Sequence, residues 1–296
     1  MNERPNAPEA CDLETGVCGP VTADADDGVI ASTDRAHVLY FTDPICSHCW
    51  AMEPAWRRLL FHYGSRIRAT HVYGGLLPAW TGFTDRAAGI GAPTDVAPHW
   101  AEVAERYGQP IDPGVWLTDP LSSSFPPSIA VCVVRLIDPE REDRFLRRIR
   151  EAVFLEARNI CRVDVLAACA TDVGIDPQQF TRLFESGAGE PAFERDRASL
   201  KDHGVRGFPT IVVSGPGEGG RLRGTQVFET LEDAVLRAAG LPSSTLRPSA
   251  SDALDAYGTG TLREFAELLQ MDDDETTAAL ESLGAGQIRP WLWGRR

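Results

Sequence analysis

The chain has 296 residues, with 43 acidic against 29 basic side chains and a formal net charge of −14. That balance excludes general nucleic-acid binding, which relies on basic surface. A hydrophobic content of 43% provides a core that a disordered chain lacks. No apolar run approaches the roughly 20 residues that span a bilayer, and the first residues carry neither the basic nor the apolar segment of a signal peptide. The expected location is cytoplasmic, with no membrane partner.

Residues 1–34 are rich in Pro, Ala and Asp, show no helical or strand period, and read as a flexible arm. Cys11 and Cys18 lie within it, flanking a Thr15-Gly16 turn signal. They are either a second redox pair that exchanges with a pair further along the chain, or two exposed thiols. A metal clip would need more His or Cys than the arm supplies.

The stretch from His37 to Trp50 is the centre of the reading. Its apolar start predicts a buried strand that breaks at Asp43-Pro44, and a helical pattern follows with Cys46 at its mouth. Unpaired backbone N–H groups and the positive end of the helix dipole favour a thiolate there, lowering a cysteine pKa from about 8.5 into a range of roughly 3.5 to 7.5. Cys49 stands one turn on and can close a disulfide with Cys46. His48 between them is placed to stabilise the Cys46 thiolate. A favoured reduced form makes the pair an oxidant, toward the roughly −120 mV end of the scale. A zinc ribbon would need a second Cys-x-x-Cys, which the chain lacks, so no metal is assigned.

Arg66 to Tyr73 alternates and is β-branched, predicting a strand parallel to the first. Residues 80–203 carry almost no strand signal. Helical patterns fall near 94–107, 127–137, 140–157, 162–173, 177–186 and 190–203, with Cys132, Cys161 and Cys169 as small buried hydrophobes. Gly204 to Val213 is a turn running into a strand, with Pro209 at the entry, where a residue lacking an N–H is tolerated. A Gly-rich hairpin, a last strand from Leu222 to Val227 and a closing helix from Glu229 to Ala239 follow. A Pro/Ser-rich linker then leads to a capped helix at Thr261–Gln270 and a second helix from Asp274. Trp291 to Trp293 is expected to pack back on the domain.

Asp43 to Pro54, with its Cys-Ser-His-Cys, resembles the active-site helix of the DsbA family in the thioredoxin superfamily. His71 to Trp80 resembles that family's cytoplasmic branch of FrnE-type oxidoreductases and SpxH (YjbH) protease adaptors. The resemblance implies an α/β thioredoxin-like fold with a large inserted helical domain and a small C-terminal helical appendage. The core is then 35–79 plus 204–240, the insertion 80–203, and linker and appendage 241–296. It also implies a cis Pro209 beside Cys46, His48 and Cys49, with Trp50, Phe208, Ser124 and Phe125 contacting substrate. Phe208 stands where a smaller residue is common. The implied activity is thiol–disulfide exchange on protein or peptide thiols without a cofactor, served by a reducing partner. The alternative is an SpxH-like adaptor presenting a regulator to the ClpXP protease, with the cysteines as a redox sensor.

Overall fold

A computed structural model describes residues 9–12, 18–20, 35–85 and 88–296, the first two stretches as backbone. Part of the expected flexible arm is a hairpin: β1 (Glu9–Asp12) pairs antiparallel with β2 (Cys18–Pro20), placing Cys11 opposite Cys18. The two strands are too short to show a period, so only their pairing reveals them.

β3 (Ala36–Thr42) is the buried strand expected before Asp43-Pro44. The broken helix after it comprises α1 (Ser47–Ala51) and α2 (Glu53–Tyr63), with Pro54 in the first turn of the second piece, where its missing N–H costs nothing. β4 (Ile67–Tyr73) returns parallel to β3, Ala36 opposite Ile67 through Thr42 opposite Tyr73.

Among the described residues, seven α-helices lie between β4 and the next strand: α3 (Val96–Tyr107), α4 (Val115–Thr118), α5 (Phe125–Ile137), α6 (Glu142–Phe154), α7 (Val163–Asp172), α8 (Pro177–Glu185) and α9 (Glu190–Asp202). They close on a shared core that includes Trp100, Trp116, Phe145, Phe154 and Phe180. α6 also buries Arg148, Arg150 and Glu151, charged residues that a core accepts only when paired.

β5 (Gly207–Phe208), β6 (Thr210–Ser214), β7 (Gly220–Arg223) and α10 (Phe228–Ala239) complete the core. The main sheet runs β4-β3-β6-β7, with β6 antiparallel to both β3 and β7. β7 stops earlier than its sequence suggests, at Gly224, which takes a positive φ of 77°. Gly224 then donates its N–H to the Pro209 carbonyl. A second, separate sheet runs β2-β1-β5, so the N-terminal hairpin leans on the segment just before Pro209.

Beyond the linker come α11 (Ala250–Tyr257), β8 (Thr259–Thr261), α12 (Leu262–Leu269), α13 (Asp273–Glu281), β9 (Ala285–Arg289) and β10 (Leu292–Arg295). Besides the expected helices this unit holds an antiparallel sheet, β8-β10-β9, which contains the aromatic C-terminus. Glycines at 286 and 294 and a turn through Pro290 and Trp291 hid those strands from a pattern reading. Capping boxes at Thr261/Glu264 and Asp272/Glu275 start α12 and α13.

α12 packs on α2 through a buried charge junction. Glu264 accepts from Arg57 Nη1 at 2.7 Å, from Arg147 Nη1 at 2.5 Å and from Gln109 Nε2 at 2.8 Å. One carboxylate thus joins the core, the insertion and the C-terminal unit. No helix among the described residues is long and apolar enough to cross a membrane.

Candidate functional site

The site begins where β3 ends. Asp43 is buried, and its carboxylate accepts from Ile45 N at 3.0 Å and Leu76 N at 2.7 Å. Burial pushes its pKa up despite these bonds. The turn it holds delivers Cys46 as the N-cap of α1, where Cys46 Sγ accepts from the Cys49 N–H at 3.2 Å. Both cysteines are free and fully buried.

The charge distribution over the pair differs from expectation. Burial and the shared hydrogen bond with Cys49 push the Cys46 thiol well up. Burial opposes ionisation of Cys49 too. There the bond from Cys46, the Arg150 guanidinium and the Thr42 hydroxyl outweigh it and hold the pKa below the usual thiol value. Arg150 Nη2 donates to Thr42 Oγ1 at 2.5 Å and Nη1 to Glu53 Oε2 at 3.1 Å. The inserted domain therefore supplies the positive charge, on α6, that steadies the second sulfur. Thr42 and Glu53 lie in the motif region. Arg150 had no signal, being 108 positions from its partner Thr42.

The other expected site residues divide. The Phe208–Pro209 bond is cis. The Phe208 ring is buried against Gly74, so close that a Cβ there would stand 1.7 Å from Phe208 Cζ. What Phe208 offers a neighbour is its backbone, which pairs with Cys11 in β1. His48 is buried with its ring 5.6 Å from that of His99 and 6.0 Å from that of Tyr107, both on α3. Its carbonyl accepts from Thr225 Oγ1 at 3.2 Å.

Trp50 is not at the mouth of the site. It lies fully buried against the inserted domain, stacked on Phe154 at 5.3 Å and donating Nε1–H to the Pro110 carbonyl at 2.8 Å. The reason is helical phase: one residue past Cys49, its side chain is turned toward the insertion. Ser124 is also buried and bonded inward. Its Oγ accepts from Leu77 N at 3.0 Å and its N–H donates to the Leu77 carbonyl at 2.7 Å. Phe125 packs on Phe193 and over Gly75. These two residues brace the 74–77 loop that Asp43 grips. An apolar cavity is lined by Ile45, Ser47, Leu76, Trp80 and Trp100, with His99 at its wall. No cluster of His, Cys, Asp or Glu among the described residues could hold a metal ion.

A family model described as Thioredoxin matches residues 39–233, from β3 through the whole insertion into α10. The chain belongs to this family. The curated relatives it resembles bear the name SpxH. The chain is 34% identical to a ClpXP adapter protein SpxH of Halalkalibacterium halodurans over 202 residues, which span 68% of this chain and 66% of that one. It is 28% identical to a ClpXP adapter protein SpxH of Shouchella clausii over 290 residues, 96% of this chain and 93% of that one. Among solved structures, the cytosolic disulfide reductase DsbM of Pseudomonas aeruginosa superposes with a TM-score of 0.51 at 25% identity. That match covers 63% of this chain and 88% of DsbM.

Proposed function

We propose that this protein is a cytoplasmic thiol–disulfide oxidoreductase acting on protein or peptide thiols through Cys46 and Cys49. The observation that carries the proposal is the cysteine pair at the start of α1, where Cys46 Sγ accepts from the Cys49 N–H and where Cys46, Arg150 and Thr42 lower the Cys49 pKa against its burial. The likeness to DsbM, a cytosolic disulfide reductase, supports both the chemistry and the compartment.

In this mechanism Cys49 takes the Cys46 proton, and the Cys46 thiolate attacks one sulfur of a substrate disulfide. A Cys46–substrate disulfide forms, and the departing substrate thiolate recovers the proton from Cys49. Cys49 then attacks Cys46 Sγ, closing the Cys46–Cys49 disulfide and releasing the second substrate thiolate, which is protonated by water. The reverse sequence oxidises a dithiol. Charge stabilisation of Cys49 favours the reduced pair and makes the disulfide the oxidising form. The 74–77 loop is tied through Asp43 to the turn that precedes Cys46. Insulin reduction tests the reading: turnover that is lost in Cys46→Ser supports it, and a chain with no turnover in either direction contradicts it.

A second reading is favoured by a separate observation. The alignment with SpxH of Shouchella clausii covers nearly the full length of both chains, whereas DsbM is almost used up by 63% of this one. A C-terminal unit belonging to the SpxH pattern suits an adapter that presents a client protein to a ClpXP-type protease, with the cysteines reporting oxidation. Tight binding of one client, proteolysis of it that depends on this chain, and negligible insulin turnover would select this reading over the first.

A further inference from the structure

We propose that the N-terminal hairpin is a built-in dithiol substrate of the Cys46–Cys49 pair, exchanging two electrons with it within one chain. The inference rests on the thiol-exchange reading above and names a substrate for it.

Three placements of the backbone lead to it. β1 pairs antiparallel with β5, setting Cys11 opposite Phe208 and Asp12 opposite Gly207, the two residues immediately before Pro209. A strand of this chain therefore occupies the backbone edge just before Pro209, the kind of edge that an extended peptide joins by strand addition. β1 also comes within 8 Å of α1, Cα to Cα, and so touches both β5 and the helix that carries the cysteine pair. Finally, Cys11 stands directly opposite Cys18 across β1 and β2. Facing residues of an antiparallel pair have Cα atoms about 4.5 or 5.5 Å apart, inside the range of about 4.4–6.8 Å that a disulfide spans. The hairpin can therefore close its own disulfide without a change of backbone register.

The exchange balances without an outside reagent. A Cys11 thiolate attacks Cys46 Sγ of the Cys46–Cys49 disulfide, a Cys11–Cys46 bond forms and Cys49 leaves as thiolate, the state that Arg150 and Thr42 favour. The Cys18 thiolate then attacks Cys11 Sγ, closing Cys11–Cys18 and releasing Cys46. Two protons pass from the hairpin thiols to the Cys46–Cys49 pair, which is reduced as the hairpin is oxidised. The complete burial of Cys46 fits a site already covered by a strand of its own chain.

The test uses the full-length Cys18→Ser/Cys49→Ser chain, which lacks both resolving thiols, dilute and reduced, exposed to oxidised glutathione, then acid-quenched, alkylated and mapped by mass spectrometry. The expected product is an intramolecular disulfide of Cys46 with Cys11, formed from a Cys46–glutathione adduct at a rate independent of protein concentration. Accumulation of the Cys46–glutathione adduct with no Cys11–Cys46 linkage would overturn the inference. In that case parental insulin turnover would leave the exchange reading standing, whereas a Cys46 inert toward glutathione would sink both. A second check needs no trapped variant. The parent should titrate in glutathione buffers as two linked disulfides, and Cys11→Ser/Cys18→Ser as Cys46–Cys49 alone with insulin turnover retained. An unchanged Cys46–Cys49 titration, with Cys11–Cys18 never forming in the parent, would count against the proposal.

Discussion

After the bond from Cys46, Arg150 and Thr42 are the groups that hold the Cys49 pKa down. Arg150 reaches Thr42 from the inserted domain, and Thr42 reaches Cys49. Thr42→Val keeps the shape and removes the hydroxyl, so the Cys49 thiolate loses one donor and Arg150 loses its acceptor. Its Cys49 pKa should rise, read as a shift of the ultraviolet thiolate titration to higher pH. Stability should fall by about 1–3 kcal/mol, the usual cost of stranding a buried polar group. An unshifted titration would show that Thr42 is only a packing residue. Arg150→Met should raise the same pKa further and cost on the order of 3 kcal/mol, because Glu53 then keeps only a 3.7 Å contact with Arg147. The residues that sequence exposes best are those whose partners are local. Cys46 and Cys49 sit one turn apart, and Pro209 sits in a turn-to-strand pattern. Arg150 and its role are invisible because the pairing spans 108 positions. Trp50 shows the converse failure: its place in the motif was plain, but which face of α1 the insertion would cover was not.

Among the elements, α12 is the most informative. Its capping box was legible from Thr261 and Glu264 alone, yet the same carboxylate also binds Arg57 of α2 and Arg147 of α6. Burial would raise the Glu264 pKa, but the charges of Arg147 and Arg57 win and bring it down to about 2, from a model-peptide value of 4.5. A folded-state pKa below the unfolded one gives stability that is complete above about pH 4.5 and is lost as pH falls toward 2. The shift corresponds to about 3 kcal/mol. Glu264→Gln should therefore unfold at lower urea concentration than the parent at pH 7, and the gap should narrow by pH 3. A gap that stays constant across that range would deny the ionised junction any part in stability. The N-terminal hairpin went unread for a different reason: strands of four and three residues carry no period, and their register is set by β5, almost 200 positions away.

At the scale of the whole molecule, the inserted domain and the C-terminal unit are coupled to the thioredoxin core through charged side chains buried between them. Helical periodicity was sufficient to outline the insertion, because each of its helices turns an apolar face to one shared core. The C-terminal sheet and the Glu264 junction depend on tertiary pairing and left no local trace. This coupling predicts that α12 and α2 open together. Native-state hydrogen exchange should give their slowest amides the same opening free energy, and Arg147→Met should lower both. Much faster exchange throughout α12 than in α2 would show the C-terminal unit to be a loosely held attachment. The central claim is that Cys46 and Cys49 form a working redox couple. Its most direct test is the equilibrium of that pair in glutathione buffers, read by mapping the Cys46–Cys49 disulfide. Reversible formation of the disulfide is expected, at a potential above the cytosolic poise of roughly −220 to −320 mV. Failure of the two sulfurs to join at any glutathione ratio would contradict it.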